Sequence, residues 1–461
     1  MDERLCWASA AELTALMRRR EVSAEEIARN ALARLEAVEP ALNAFIHVDA
    51  EGALAAAREA DRRLAAGGEL PPLNGVPVSV KDLIDVAGMP CSYGARSMLG
   101  HVPEEDAPSV ARLRQAGAVI LGKTTTSEFG YRGYTESLVH GLTRNPWDTG
   151  RTPGGSSGGA VASVAAGVTP LALATDGGGS IRSPCALTGL FGIKAQFGRV
   201  PIAPASATPT LAHVGPVGRE VDDVAALLRV IAGPDGRDWT SLQPPLREET
   251  PLDLSALRVA FSPTLGYARV DADVAAVVEQ AVQHLAHRLP RLEHVETVCD
   301  DPAEILAVEF IAGVAGRLGR VVQDAPELVD PPLREAIRAL AGRPLLDYAA
   351  LLRRRVLFRE AMRRAFADWD VLLTPTTPAA AWPLGQGVPP GHEGAAVWSY
   401  FTYPFNLTGQ PAASLPCGFT ETGLPVGLQI IVKPQREDLL VAFARFARDH
   451  LAPADRRACL S

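Results

Sequence analysis

Three short segments of the sequence combine residue types that can carry out nucleophilic chemistry. They are residues 78–82 (VSVKD), 154–159 (GGSSGG) and 175–182 (TDGGGSIR). Ser180 follows a run of three glycines, and glycine lets a backbone approach a substrate closely and aim several N–H groups at one point. Such donors form an oxyanion hole, where each contributes about 3–4 kcal/mol to transition-state stabilisation. The pattern therefore predicts that Ser180 is a nucleophile.

A serine nucleophile needs a base, and these segments offer a lysine. Ser180 does not lie in a GxSxG motif, and none of the three segments contains a histidine, although His140 and His213 are not far along the chain. A neutral lysine is another known activator of serine. Lys81 and Ser156 could therefore form a proton relay to Ser180.

Lysine is rare in this chain, which makes its presence at position 81 informative. Of the 45 basic residues, 41 are arginine, and the lysines are Lys81, Lys123, Lys194 and Lys433. Arginine does not lose its proton in a protein, whereas burial can lower the pKa of a lysine by several units. Position 81 thus has the residue type that a buried base requires. A salt bridge from Lys81 to Asp82 or Asp176 is the simpler alternative.

Each segment also has a simpler interpretation when it is taken alone. A loop rich in glycine and serine is commonly a flexible turn, and a glycine run ahead of a helix can bind phosphate. The run before Ser180 lacks the GxxxxGK[ST] spacing of a phosphate-binding loop. The combination of the three segments favours catalysis over these alternatives.

The composition excludes several functional classes. The net charge is -8 and basic residues form no stripe, which argues against nucleic-acid binding. The N-terminus lacks the order of a signal peptide, and the small-apolar stretch 158–175 is interrupted by Ser163 and Pro170, so we predict no membrane span. The six cysteines show neither a CxxC pair nor regular spacing. We therefore expect no metal site, no disulfide framework and a cytoplasmic location.

Sequence periodicity predicts the elements that position these residues. Ser23 and Glu26 form a capping box ahead of apolar residues at helical spacing. The β-branched run 77–80 predicts a strand that delivers Lys81, and a second strand is predicted at 118–122 after a helix. This alternation is typical of an α/β fold in which helices cover a mixed or parallel sheet.

The chain divides into four segments on these patterns. Residues 1–68 are predicted as an N-terminal helical segment, and 69–233 as a core that holds the three motifs. Residues 234–397 read as a variable α/β region, and 398–461 as a C-terminal part of the same domain.

The same residues make the chain resemble the amidase-signature family. The matching text runs almost unbroken from 78 to 200, and Ser156 and Ser180 stand in the family's order after an upstream lysine. The shorter matching pieces are 122–124 (GKT), 145–148 (NPWD), 192–194 (GIK), 403–411 (YPFNLTGQP) and 423–427 (GLPVG). The N-terminal helices and residues 257–370 match only in general character.

The resemblance implies a role for each residue of the motifs. Ser180 corresponds to the acyl-forming nucleophile, Lys81 to the terminal base, and Ser156 to a bridging serine after a cis peptide bond, here Gly155–Ser156. The oxyanion hole corresponds to the backbone N–H groups of Gly177, Gly178, Gly179 and Ser180. The supporting residues correspond to Ser157, Thr175, Asp176 and Arg182.

The resemblance also implies a fold and an activity. The fold is one large α/β domain with a mixed, twisted sheet covered by helices on both faces. The activity is hydrolysis of an amide bond, or of a related ester or carbamate, through an acyl-enzyme, without a metal or organic cofactor. With the composition, this predicts a small-molecule amide substrate, no nucleic-acid or membrane partner, and a homodimer.

One alternative within the family is a different kind of protein. It is the A subunit of a glutamyl-tRNA(Gln) amidotransferase, a glutaminase that works with a partner subunit. Two departures from the commoner family pattern, Gly177–Gly178 and Ala195–Gln196, favour a free-standing amidase.

Several further residues are weaker candidates. Phe129, Tyr131 and Tyr134 follow the 118–122 strand, where the family often contacts substrate, and a substrate pocket is the role that we predict for them. Packing is the expected role of the aromatic cluster Trp398, Tyr400, Phe401, Tyr403 and Phe405. A structural role is expected for Lys123, Lys194, His140 and His213.

Overall fold

The computed structural model describes residues 1–241, 244–451 and 457–458. These residues form an eleven-stranded mixed sheet, and a separate hairpin joins β4 (Glu136–Ser137) and β5 (Gly141–Leu142). In spatial order the sheet consists of β1 (Phe45–Val48), β3 (Val119–Thr124), β2 (Pro77–Lys81), β6 (Leu171–Asp176), β8 (His213–Gly218), β7 (Phe191–Lys194), β12 (Ala412–Phe419), β13 (Pro425–Val432), β11 (Val371–Pro375), β9 (Val259–Phe261) and β10 (Leu292–His294).

Helices connect and cover these strands. They are α1 (Glu3–Trp7), α2 (Ala10–Arg18), α3 (Ala24–Leu42), α4 (Ala50–Ala66), α5 (Pro108–Gln115), α6 (Gly158–Ala165), α7 (Arg182–Thr188), α8 (Val221–Ile231), α9 (Ala272–Ala286), α10 (Ala303–Asp324), α11 (Pro331–Ala341), α12 (Leu345–Ala365), α13 (Tyr403–Thr408) and α14 (Glu437–Leu451). In the described part of the chain, no helix combines the length and apolar character needed to cross a membrane.

Strand β6 shows that both faces of the sheet are buried. Leu171 and Leu173 pack in a core that includes α5 and α8, whereas Ala172 and Ala174 face α6 and α7. A strand covered on both faces is apolar throughout rather than alternating. The predicted α/β fold, a mixed sheet with helices on both faces, is confirmed.

The N-terminal segment differs from the prediction in one element. The predicted helical segment 1–68 holds the helices α1 to α4 and also a strand that the sequence patterns did not indicate, because β1 lies at an edge of the sheet and pairs antiparallel with β3. Asn43 ends α3 in a left-handed conformation and turns the chain into this strand. Its four residues (FIHV) do not alternate between apolar and polar side chains, so the period of two that identifies a strand in sequence is missing. All four predicted segments contribute strands to one sheet.

Helix α6 brings the 154–159 loop close to the sheet because its first residues are small. A Cβ on Gly159 would lie 2.4 Å from the Thr125 nitrogen, and one on Gly158 would lie 2.3 Å from Thr135 Oγ1. Both contacts are too short for any side chain, so only glycine permits this packing. The loop that precedes α6 is thereby fixed beside the end of β2.

Candidate active site

The site is assembled where neighbouring strands of the sheet end. Strand β2 ends at Lys81 and β6 at Asp176, and the two strands run parallel, with Val80 opposite Leu173. Because parallel neighbours end at the same edge of a sheet, Lys81 lies near the residues that follow β6. The 154–159 loop reaches the same place immediately before α6.

The Lys81 side chain is fully buried in a cluster of hydroxyl groups. Its Nζ lies 2.8 Å from Ser156 Oγ, 2.8 Å from Ser157 Oγ and 2.8 Å from Thr175 Oγ1. The Ser157 hydroxyl donates to the Thr175 carbonyl oxygen at 3.1 Å, so it accepts its bond from Lys81. A neutral amine donates two hydrogen bonds and accepts one. Because a hydroxyl group can donate as well as accept, the three partners fit a neutral lysine that accepts from Ser156 as well as an ammonium that donates to all three.

The electrostatic surroundings favour neutral Lys81. Burial lowers its pKa well below the usual lysine range, against an opposing influence from Asp176. Asp82 Oδ1 lies 3.0 Å from Lys123 Nζ, and Asp176 Oδ1 lies 3.0 Å from Arg182 Nη2. No ion pair in the described part of the chain includes Lys81. The salt-bridge alternative for Lys81 is therefore wrong.

Ser156 and Ser180 open onto one cavity of about 240 Å³. The Gly155–Ser156 peptide bond is cis, as the family resemblance implies. Ser156 is 1% exposed, whereas Ser180 is partly exposed. Among the described residues neither serine hydroxyl bonds to the other, and Ser156 Oγ is held by Lys81. The two hydroxyls are thus presented to the same bound molecule, with the lysine behind Ser156.

The 177–180 loop carries the predicted oxyanion hole. Within the described residues, the N–H groups of Gly177, Gly178 and Ser180 have no hydrogen-bond acceptor, so they are available to an oxyanion. The Gly179 N–H is already used, because it donates to Asp176 Oδ1 at 2.8 Å. Gly179 has a φ of +131°, a backbone conformation that favours glycine. The structure therefore leaves three of the four predicted donors free and gives Gly179 a role in shaping the loop.

A buried ion pair between Asp176 and Arg182 supports the 177–180 loop. Arg182 donates through Nε and Nη2 to Asp176 at 3.0 Å each, and the Asp176 carboxylate also accepts the Ile181 N–H at 3.2 Å. Although burial acts in the opposite direction, Arg182 keeps the pKa of Asp176 well below its usual range. Two further side chains complete the network, since Arg182 donates to Asn406 Oδ1 at 2.7 Å and to Gln429 Oε1 at 2.8 Å.

Asn406 and Gln429 were missed as site residues at the sequence level. Asn406 lies in the matching text 403–411, which was a usable signal. Gln429 lies within β13 and has no signal in the sequence, because only the fold brings it to Arg182.

Replacing Asp176 by alanine is expected to lower the free energy of unfolding by about 3–5 kcal/mol, because it leaves the Arg182 guanidinium buried without its counter-charge. Urea unfolding followed by circular dichroism measures the change. The matched control is Glu360→Ala, which removes an exposed pair with Arg363 on α12 and should leave the midpoint unchanged. A midpoint for Asp176→Ala equal to that of the control would contradict the proposed anchoring role.

The three aromatic pocket candidates lie in different places. Phe129 lines the cavity and has a left-handed backbone, with a φ of 46°. Tyr131 and Tyr134 are not among the residues that line it. Tyr131 packs against Phe310 at a ring distance of 6.5 Å, and Tyr134 packs beside Trp382. A pocket role is thus compatible with the position of Phe129 and not with those of the other two.

The other buried lysines make structural contacts. Lys123 pairs with Asp82, and Lys194 donates to the Gln410 carbonyl oxygen. Residues 117–124 (GAVILGKT) match the pattern GxxxxGK[ST], which a phosphate-binding loop would place between a strand and a helix. Here residues 119–124 are the strand β3 itself and the lysine is fully buried, so the match does not mark a phosphate site.

The two histidines and the aromatic cluster also make structural contacts. His140 Nε2 lies 2.7 Å from the Thr126 carbonyl oxygen, and His213 Nδ1 lies 2.8 Å from that of Leu211. His213 is the first residue of strand β8. The aromatic cluster is buried and does not line the cavity, which fits the packing role for Trp398, Tyr400, Phe401, Tyr403 and Phe405.

The cavity wall is mostly apolar around the two serines. Its charged side chains are those of Asp85, which is buried and accepts from the Tyr93 hydroxyl at 2.7 Å, and of Arg317. The large apolar residues of the wall are Leu83, Ile84, Met98, Phe129, Ile202, Val214, Phe310, Leu318 and Val321. Such a surface suits a hydrophobic group beside the reacting centre.

Comparison with known proteins places this geometry in a family. The Amidase family model matches residues 26–441. The A subunit of a glutamyl-tRNA(Gln) amidotransferase from Symbiobacterium thermophilum is 41% identical, over 95% of this chain and 95% of its own. An acylamidase of Rhodococcus erythropolis is 36% identical, over 96% of this chain and 95% of its own.

A solved structure gives the same result. A bacterial aryl acylamidase of the amidase-signature enzymes superimposes with a TM-score of 0.88 at 26% identity, covering 96% of each chain. The family model covers most of the chain, and the relatives align along nearly all of it. The chain therefore belongs to the amidase-signature family and is an amide hydrolase.

Proposed function

We propose that the protein is a serine amidase that forms an acyl-enzyme on Ser180, with Ser156 and Lys81 as its proton relay. One observation carries this proposal: a buried lysine with a lowered pKa bonds to Ser156, which shares a cavity with Ser180. Burial lowers the cost of deprotonating Lys81, and its Nζ lies within hydrogen-bond distance of Ser156 Oγ. This is the arrangement that a lysine base requires.

In the acylation step the Ser180 proton would be replaced by a bond to the acyl carbon, and the amide C–N bond would break. Ser156 would give its proton to Lys81 Nζ and take the Ser180 proton, while Ser180 Oγ attacks the amide carbonyl carbon. The N–H groups of Gly177, Gly178 and Ser180 would stabilise the negative oxygen. When the C–N bond breaks, the proton returns through Ser156 to the leaving amine.

Hydrolysis of the acyl-enzyme would use the same relay a second time, with water in the place of Ser180. Water would lose a proton through Ser156 to Lys81 as its oxygen attacks the ester carbonyl. The ester bond to Ser180 Oγ would then break, and Ser180 would regain its proton as the carboxylic acid leaves. Each turnover thus consumes one amide and one water and returns Lys81 to its neutral form.

We further propose that the substrate is a small amide, or a related ester or carbamate, with an apolar acyl group, and that the chain acts without a partner subunit. The apolar cavity wall supports this choice, as does similarity to proteins named acylamidase. The homodimer stays a prediction. The cytoplasmic location is also a prediction, which the free cysteines of the described residues support.

A glutaminase function within a tRNA amidotransferase is the second candidate. Relatives that are named as the A subunit of that enzyme favour it. So does the cavity wall, because Asp85 and Arg317 could pair with the ammonium and carboxylate of an amino acid.

Assay of the purified chain alone separates the two candidates. We expect hydrolysis of aryl and alkyl amides, with glutamine at least about tenfold poorer in kcat/KM, which corresponds to about 1.4 kcal/mol. An inert chain that gains glutaminase activity when a candidate partner subunit is added would support the second candidate and contradict the first.

A further inference from the structure

Helix α10 forms a roof over the proposed oxyanion loop. A Cβ on Gly177 would lie 3.2 Å from Phe310 Cε2, and a Cβ on Gly178 would lie 3.3 Å from Leu306 Cδ2. Both distances are tighter than ordinary van der Waals contact. Phe310 and Leu306 therefore occupy the space that side chains at 177 and 178 would take. Helix α10 can pack this closely on the loop because both positions are glycine.

Further contacts hold helix α10 in this position. A Cβ on Gly313 would lie 2.4 Å from the Ala207 carbonyl oxygen, so only glycine allows α10 to lie against that loop. One turn later, Arg317 Nη2 donates to the Ala205 carbonyl oxygen at 2.7 Å. These contacts hold α10 against the 203–208 loop, and that loop is itself part of the cavity wall.

A third contact holds the helix from its outer side. Glu309, the residue before Phe310, forms a buried ion pair with Arg355 of α12. Arg355 Nε in turn donates to the Leu407 carbonyl oxygen at 3.0 Å. Retraction of α10 would pull on this buried pair, so the helix that carries Phe310 is held in place beside the cavity.

We propose that Phe310, seated in the space left by Gly177, sets the size of the acyl group admitted beside Ser180. This inference rests on the proposed function. The acyl group stays bonded to Ser180 after the amine has left, so it is the part of the substrate that the cavity must hold. Phe310 lines that cavity together with Ser180. Phe310 and Gly177 together therefore select unbranched or flat acyl groups and exclude branched ones.

The first test compares acyl groups of different width. The p-nitroanilides of acetic, butyric, benzoic and pivalic acid are hydrolysed by the wild type and by Phe310→Ala, and kcat and KM are measured for each. We expect Phe310→Ala to raise the kcat/KM ratio of pivaloyl to acetyl substrate at least about tenfold. The control is Phe446→Ala, which removes a half-buried aromatic ring on α14 and should leave the ratio unchanged.

The second test uses the predicted match between the two residues. Gly177→Ala should lower kcat/KM for every acyl group at least about tenfold, because its methyl would meet the Phe310 ring. The double variant Gly177→Ala with Phe310→Ala should recover most of that loss, a coupling that independent sites would not show. Circular dichroism and thermal unfolding verify that each variant folds.

Several outcomes would overturn the inference. An unchanged acyl ratio in Phe310→Ala, or additive losses in the double variant, would contradict it while wild-type amide hydrolysis leaves the proposed function intact. A wild type that hydrolyses none of the four anilides and does not react at Ser180 with a fluorophosphonate would contradict the proposed function and this inference together.

Discussion

Alanine at position 180 is expected to abolish amide hydrolysis, with a loss in kcat of at least about 10,000-fold. Ser180 is the hydroxyl that the 177–180 loop presents to the cavity, directly after the free N–H groups of Gly177 and Gly178. The substitution removes one partly exposed oxygen and no buried contact, so the variant should fold. Turnover of an activated anilide measures the loss, and thermal unfolding verifies the fold.

A buried serine outside the cavity provides the control. Ser163 lies in α6, where its hydroxyl lies 2.8 Å from Ser79 Oγ, and Ser163→Ala should keep near-normal kcat. Residual turnover by Ser180→Ala within tenfold of the wild type would exclude Ser180 as the nucleophile.

Replacing Lys81 by arginine or methionine is expected to cost at least about a thousandfold in kcat/KM, or roughly 4 kcal/mol. Arginine keeps a positive charge and cannot act as a base, whereas methionine fills a similar volume without one. Because Lys81 is fully buried, arginine could fail to fit, and the methionine variant separates loss of the base from loss of the fold. Activity of either folded variant within tenfold of the wild type would make Lys81 structural.

The same lysine predicts a pH profile. A base must be neutral to act, so activity should rise with pH as Lys81 deprotonates. Because burial lowers its pKa, the limb should lie below the ordinary lysine value of about 10.4. The control is Lys433→Met, which removes a half-exposed lysine paired with Asp370 and should leave the limb in place. If a folded Lys81→Met variant still showed the rise of activity over the same pH range, the rise would have to be assigned to another group.

The site could be predicted from the sequence where the residue type and its spacing both point to the same chemistry. The lysine, the two serines and the glycine run are recognisable because few other residues can do their work, and the structure places them at one edge of the sheet. The buried strands were predictable for a similar reason, since a strand covered on both faces is a continuous apolar run.

Other features depend on tertiary structure and could not be predicted. The Gly179 N–H looks identical to its neighbours in sequence, and only the position of Asp176 shows that it is already bonded. Gln429 and Phe310 reach the site from elements that lie far from it along the chain. Tyr131 and Tyr134 were predicted to line the pocket because the family often contacts substrate in this loop, and the sequence does not show in which direction a loop side chain points.

The most direct test of the central claim is peptide-mapping mass spectrometry after reaction with a fluorophosphonate. The account predicts a single adduct on Ser180 in the wild type, with much slower labelling of the Lys81→Met variant at the same pH because its serine is no longer activated. An adduct on Ser156, or labelling of Ser180 at an unchanged rate without Lys81, would contradict the proposed relay.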